Sequence, residues 1–352
     1  VTRTLAARKA QPRRVLICED SGAYAAALAR FLESDEGIEV VGVVSSGEQA
    51  IAEVERLRPD LLTLDMQLPG IDGLDVVKSL MASNPLPVVI LSAHVAKGSE
   101  RAAAALAAGA LDIVGKESLR LDRRDDVWAQ AMRSRLMRLA SIRVARTAKL
   151  RAAVPRKAVS AGAHVARAVG IGASTGGPPA LEAVLRALRA DFSLPVLVVQ
   201  HMAPGFVDGL VSWLDQRLRI PVRVARKGER ASPGVWFAPD GAHLLLTESL
   251  RFDFDHRTPG AHRPSVDTML RSLALALGDE AVGVVLTGMG KDGAEGAAAI
   301  RGAGGLVIAQ DQASSVVYGM PRAVAENGAD LILAPAEIGD AIDAMRPPPA
   351  VA

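Results

Sequence analysis

Two series of short apolar runs, each run followed by a stretch of helical periodicity, organise this 352-residue chain. In the first, Val15 to Cys18, Val40 to Val44, Leu61 to Leu64, Val88 to Leu91 and Leu111 to Val114 alternate with amphipathic segments such as Ala23 to Leu32 and Gly47 to Leu57. Strands apolar along their whole length are buried on both faces, so this alternation predicts a parallel sheet covered by helices. A second series starts near Val165 and continues through Pro195 to Val199, Val282 to Leu286 and Leu306 to Ala309. The expected fold class is therefore α/β, with two doubly wound parallel-sheet domains. The interval Arg226 to Leu246 differs: Pro233-Gly234 and Pro239-Asp240-Gly241 punctuate the runs Val235-Trp236-Phe237 and His243-Leu244-Leu245-Leu246. It reads as a β-hairpin added to the second sheet.

The stretch between the two series has another character. No acidic residue occurs from Val127 to Leu181, while Arg133, Arg135, Arg138, Arg143, Arg146, Lys149, Arg151, Arg156 and Lys157 accumulate. Trp128, Met132, Leu136 and Leu139 fall at helical spacing and predict a helix closing the first domain; the Ala-rich remainder reads as a solvated basic linker, or as a docking site for an acidic partner. The expected division is a basic tail at 1–12, a first domain at 13–120, a helix end and linker at 121–164, and a second domain at 165–352.

Composition narrows the function. With 41 Lys and Arg against 39 Asp and Glu, the chain lacks the basic field on which nucleic-acid binders depend. One cysteine, Cys18, lies in an apolar strand, which rules out an internal disulfide and fits a reducing cytoplasm. The basic N-terminal segment has no apolar core of a secretion signal, and no apolar run reaches membrane-spanning length, so no direct membrane insertion is expected.

Chemistry concentrates at predicted strand ends. Glu19-Asp20 ends the first strand and Asp65 the third, and these ends converge at the carboxyl edge of a doubly wound sheet. Three carboxylates there repel one another; a divalent cation resolves the repulsion, and hard oxygen ligands favour Mg2+ over zinc. Ser92 and Lys116, ending the fourth and fifth strands, add a hydroxyl and a cation. These are the parts needed to accept a phosphoryl group on a carboxylate. The segments Val15-Leu16-Ile17-Cys18-Glu19-Asp20, Leu62 to Gly73 and Leu91-Ser92-Ala93 resemble a response-regulator receiver domain. The resemblance implies a flavodoxin-like fold, Asp65 as phosphoacceptor, Glu19, Asp20, Asp65 and the Gln67 backbone carbonyl as Mg2+ ligands, Ser92 and Lys116 as the phosphate switch, and a histidine kinase as phosphodonor. Two positions depart from the pattern: Lys116 is followed by Glu117 rather than proline, and Ile113 stands where an aromatic switch residue is common.

In the second series, Gly172-Ala173-Ser174-Thr175-Gly176-Gly177 places one serine between glycines where an apolar strand turns into a helix opened by Pro178 and Pro179. Such a turn can expose a nucleophile beside helix N-terminal amides, or cradle a phosphate, or simply connect two elements. Serine needs a base, and among the six histidines His201 directly follows the buried strand Pro195 to Gln200. His243 falls in the expected hairpin, and His256 and His262 in a polar loop. Asp292 follows a third strand, Val284 to Leu286, in a glycine turn; it is placed to orient His201 or to cap its own helix. Serine, histidine and aspartate thus share one sheet edge. Their order differs from the Ser, Asp, His order of α/β-hydrolases.

Gly172 to Pro178, Gln200-His201-Met202, Pro204-Gly205-Phe206, His262 to Asp267, Leu286 to Gly290, Asp292-Gly293 and Gly319-Met320-Pro321-Arg322 resemble the catalytic domain of chemotaxis protein-glutamate methylesterases. The likeness runs from Val165 to the end, with the receiver in front in the expected order. Ala203 replaces a proline and Lys291 an asparagine common in that pattern. The resemblance implies a Rossmann-like domain and phosphorylation-activated hydrolysis of glutamate methyl esters, with glutamine deamidation, on the helices of methyl-accepting chemoreceptors. It assigns Ser174 as nucleophile, His201 as base, Asp292 as its orienter, and Thr175 and Met289 to the oxyanion, with no cofactor for the ester chemistry. Arg263 and Arg322 are candidates for contacting an acidic receptor helix or members of internal ion pairs. Two other readings of the chain are a response regulator with a non-catalytic, partner-binding output and a serine hydrolase of small esters.

Overall fold

The structure is a computed structural model that describes residues 11–93, 95–119, 121, 126–144, 164–258 and 262–345. The basic tail before residue 11 and the linker stretch 145–163 lie outside the described residues.

The N-terminal half is one parallel sheet of β1 (Arg13–Cys18), β2 (Ile38–Val44), β3 (Leu61–Asp65), β4 (Val88–Ser92) and β5 (Asp112–Gly115), in the order β2-β1-β3-β4-β5. Between and after the strands come α1 (Gly22–Leu32), α2 (Gly47–Leu57), α3 (Gly73–Ser83), α4 (Val95–Ala107) and α5 (Val127–Leu139). Every residue of β3, β4 and β5 is buried, as strands covered on both faces must be. Helix starts are fixed locally: the side chains of Ser21, Ser46, Asp72 and Asp126 accept from the third amide beyond each cap. The strand order reverses between β1 and β3, which opens a crevice at their carboxyl ends.

The C-terminal half is a seven-stranded sheet, order β14-β13-β12-β6-β7-β9-β8, with every neighbouring pair parallel. Its strands are β6 (Ala168–Ala173), β7 (Pro195–Gln200), β8 (Val222–Val224), β9 (Gly234–Phe237), β12 (Ala281–Val285), β13 (Leu306–Gln310) and β14 (Leu331–Leu333). The helices are α6 (Gly177–Ala187), α7 (Val207–Asp215), α8 (Val266–Leu277), α9 (Ala294–Gly302), α10 (Met320–Glu326) and α11 (Pro335–Ala344).

The hairpin exists, but not between the expected partners. Val235-Trp236-Phe237 belongs to β9, a central strand paired in parallel with β7 and β8. The antiparallel pair is β10 (His243–Leu246) with β11 (Phe252–Asp255), a separate two-stranded sheet. Burial explains the difference: all four residues of β9 are buried, whereas β11 is fully buried at Phe252 alone and leaves Asp253 to Asp255 half-buried. Leu244, Leu246 and Phe252 join Met269, Leu270 and Leu273 of α8 in one hydrophobic cluster. That seats α8 against β6 so closely that a Cβ at Gly172 would overlap the Val266 side chain.

The two halves touch along two helices of the first. α4 packs on α7 and α6, placing Ala103 in the hydrophobic cluster of the second sheet, and Glu100 accepts a hydrogen bond from Ser212. α5 lies toward the serine turn: Arg138 Nε donates to Met289 Sδ at 3.1 Å, and Met289 and Val316 pack against the cluster containing Leu136 and Leu139. No helix among the described residues is long and apolar enough to cross a membrane.

Candidate active site and phosphoacceptor pocket

Ser174 leaves the end of β6 half-buried, its amide donating to Thr287 O at 3.0 Å and its carbonyl accepting from Gly177 N at 2.8 Å. The turn requires φ +76° at Gly176, where a Cβ would also collide with Val316. Thr287 Oγ1 donates to Thr175 O at 3.0 Å, which pins the next peptide. The Thr175 and Met289 amides make no hydrogen bond among the described residues.

His201 follows β7, its amide donating to Ala173 O at 2.9 Å, so His201 and Ser174 leave adjacent strand ends. Its Nε2 stands 2.9 Å from Asp292 Oδ2. Both ring nitrogens are buried and neither meets hydrogen-bond geometry among the described residues, so Nε2 is assigned to Asp292 by its distance. With Nε2 facing the carboxylate, Nδ1 is the nitrogen left to take a proton.

Asp292 is not the cap of its own helix; Gly293 holds that position before α9. Instead it sits at the N-terminus of α8, accepting from Ser265 Oγ at 3.0 Å and from the Val266 and Asp267 amides at 2.9 Å each. Burial opposes its ionisation, but His201 and these amides overcome the penalty and hold the carboxyl well below the usual range. Asp267 does the reciprocal service for α9, accepting from Gly293 N at 2.9 Å and Gly296 N at 2.7 Å. Burial and the neighbouring Asp292 push Asp267 upward.

His262, assigned to a polar loop by its surroundings in sequence, stacks on His201 with ring centroids 4.2 Å apart and planes 16° from parallel. Burial, then the neighbouring His201, lowers its basicity. His243 anchors this loop: Ser265 N donates to its Nδ1 at 3.1 Å, so the proton is on Nε2, which donates to Thr258 O at 3.2 Å. The signal was present in His262-Arg263-Pro264-Ser265, a histidine held just before a helix cap. Arg263 donates to Thr258 O at 3.1 Å, and Arg322 pairs with Glu326 at 2.7 Å; both have internal partners.

At the other sheet edge, Glu19, Asp20 and Asp65 bring one carboxylate oxygen each within 4.8 Å of one another. Lys116 Nζ lies 2.6 Å from Glu19 Oε2 and 2.7 Å from Asp65 Oδ2, and 4.7 Å from the Tyr24 ring centre. Gln67 enters through its amide, which donates to Asp65 Oδ1 at 3.1 Å. Ser92 is buried at the end of β4. Burial pushes the Glu19 carboxyl up against the pull of Lys116, and Asp65 pushes it further. Burial likewise drives the Cys18 thiol to about 12, which makes it inert. A cluster of hard oxygens with one exposed member fits a hydrated divalent cation such as Mg2+.

Residues 169–342 match the family model for the CheB methylesterase, and residues 15–123 that for the response regulator receiver domain. A protein-glutamate methylesterase/protein-glutamine glutaminase of Anaeromyxobacter dehalogenans is 42% identical over 335 residues, covering 94% of this chain and 96% of that protein. One from Symbiobacterium thermophilum is 40% identical over 357 residues, covering 95% and 97%. The chain belongs to this methylesterase/glutaminase family. The crystal structure of the Thermotoga maritima CheB methylesterase catalytic domain is similar too, with TM-score 0.50 and 39% identity over 51% of this chain and 98% of that one.

In this family member the receiver and the methylesterase domain meet at the serine turn itself. Arg138 of the receiver's α5 contacts Met289, whose amide is one of the unengaged donors beside Ser174. Arg135, one helical turn earlier, binds Asp112 at 2.7 Å and adds positive charge that further lowers His262. The two domains therefore touch beside the Ser174 turn, which neither domain's sequence motifs reveal.

Proposed function

We propose that this chain hydrolyses γ-methyl esters of glutamate on chemoreceptor helices, and deamidates glutamines there, under control of phosphorylation in its own receiver. One observation carries the reading: the His201–Asp292 pair at 2.9 Å, with Nδ1 of His201 unengaged, at the sheet edge where the glycine-flanked Ser174 emerges. The division that goes with it is a receiver at 13–120, a helix end and basic linker at 121–164 and a catalytic domain at 165–352.

Ser174 Oγ attacks the ester carbonyl and His201 Nδ1 takes its proton. Asp292 stabilises the imidazolium through Nε2, so the two ring nitrogens exchange the roles they have in the serine-protease template. The carbonyl oxygen, now an oxyanion, is held by the Met289 amide and by Thr175. Collapse expels methoxide, which leaves as methanol with the proton from Nδ1; glutamine loses ammonia by the same route. Water, deprotonated by His201, then attacks the acyl-enzyme, releasing glutamate and restoring the serine.

In the receiver, Glu19, Asp20, Asp65 and the Gln67 carbonyl would hold Mg2+, which supplies charge neutralisation for the phosphoryl group passing from a histidine kinase to Asp65. Lys116 and Ser92 then pair with the phosphoryl oxygens. Without phosphate, α5 and α4 hold the receiver against the catalytic edge and limit access of a receptor helix to Ser174.

The test compares Ser174→Ala with the parent on methylated receptor and on a small ester. Serine-dependent methanol release from the receptor is expected. Activity on the small ester alone would favour a general esterase, and serine-dependent activity on neither would favour a non-catalytic output domain.

A further inference from the structure

We propose that Gln200 is a positioning residue that locks the nucleophile and the base to one another. It is the last residue of β7, 4% exposed, and its Nε2 donates to Ser174 O and to His201 O at 2.9 Å each. Both partners are carbonyls, so the amide orientation is forced: the nitrogen must face them. One side chain thus fixes the peptide that follows the nucleophile and the peptide that follows the base, on two loops leaving adjacent strands. The bond from His201 N to Ala173 O, also 2.9 Å, closes the same junction from the backbone side.

Room for this glutamine is made by Gly177, the first residue of α6. A Cβ built there would overlap Gln200 Oε1, which is buried without a hydrogen-bond partner among the described residues. A buried acceptor left unmet is costly, so the side chain is not in this place for its own stability. What it secures is the relative direction of two backbone carbonyls, and catalytic groups tolerate errors of only about 0.5 Å and 10–20°.

This inference rests on the roles proposed for Ser174 and His201, and the experiment separates the two. Full-length parent, Ser174→Ala, Gln200→Leu, Gln200→Glu and Gly177→Ala are assayed for methanol release and for labelling of the serine by a fluorophosphonate. Gln200→Leu keeps the volume without the donors, and Gln200→Glu replaces them with repulsion. Both should lower kcat and labelling rate on the order of 100-fold, the cost of about 1 Å of misplacement, with KM little changed. Gly177→Ala should do the same while leaving the glutamine in the chain, and Gln200→Ala added to it should cost nothing more. Ser272→Ala removes two buried bonds elsewhere, to Leu246 N and Met269 O, and should lower Tm without changing kcat. A parent without serine-dependent release or labelling sinks the enzyme reading. An active parent whose folded Gln200→Leu or Gly177→Ala form keeps the parent kcat overturns the positioning role.

Discussion

Both halves of the molecule bury carboxylates at the carboxyl edge of a parallel sheet, yet they settle the charge in opposite ways. Asp292 is met by two amides, a hydroxyl and an imidazole, and its carboxyl is held well below the usual range despite burial. Glu19 shares one lysine with Asp65, and burial wins: its carboxyl is pushed up. The first arrangement is complete before any substrate arrives, as electrostatic preorganisation for a developing imidazolium requires. The second sets three carboxylates beside one lysine. A site that must respond to a cation and a phosphoryl group cannot already be satisfied, and a site that must stabilise a transition state cannot afford not to be.

Asp292→Asn breaks the comparison most severely. In a serine-protease triad the same change costs about 10,000-fold in kcat, and a loss of that order is expected for methanol release here. Because the carboxylate also holds the α8 N-terminus, Tm should fall as well. The pH dependence has a definite sign. A carboxyl lowered on folding adds stability that is fully present above its unfolded value of about 3.9 and is lost as pH falls toward the folded value. The Tm gap between parent and Asp292→Asn should therefore be widest near neutrality and close below about pH 4. A gap unchanged by acid would remove Asp292 from the satisfied class.

The receiver supplies the converse. A carboxyl raised on folding adds stability below its unfolded value, about 4.3 for glutamate, and that stability is lost as pH rises through the folded value. Glu19→Gln should thus raise Tm at pH 7, and the gain should vanish below about pH 4. Mg2+ reverses the order: at about 100 times its Kd it should stabilise the parent by ~2.7 kcal/mol, and Glu19→Gln or Asp65→Asn by much less. Asp292→Asn should keep the full Mg2+ response. Thermal melts with and without Mg2+ decide it, and equal stabilisation of parent and Glu19→Gln would remove Glu19 from the cation site.

How much of this was written in the sequence follows from what each feature depends on. Buried parallel strands are apolar throughout, so the first sheet and four strands of the second could be read from runs such as Val88 to Leu91 and Pro195 to Val199, whereas β8 and β14, three residues each, give runs too short to read. Catalytic candidates could be read because strand ends converge: Ser174, His201 and Asp292 each follow an apolar run. Val235-Trp236-Phe237 misled because a short buried parallel strand and a hairpin strand look alike; only pairing with β7 and β8 distinguishes them. The Asp292 partners on α8, the stacked His262 and the hydrogen bond from Gln200 to Ser174 O all join residues more than twenty positions apart. Their identity depends on helix placement, for which no local pattern exists.

The docking of the two domains was the least readable feature, and it joins the two kinds of site compared above. Phosphate gained at the receiver's unsatisfied edge must be felt at the methylesterase's finished one, and α5 is the element in contact with Met289. In a two-state cover, ligand or mutation acts by changing the free-energy difference between docked and undocked forms. Arg138→Ala removes one exposed donor to a thioether, a weak contact. Losing ~0.5–1 kcal/mol of docking should raise the activity of the unphosphorylated chain roughly two- to fivefold. Activity measured with Mg2+ and a small-molecule phosphodonor should change little, because the cover is then already displaced. An equal rise in both states would mean that Arg138 acts on Met289 and the oxyanion site directly, and that α5 is a neighbour of the finished site without being its gate.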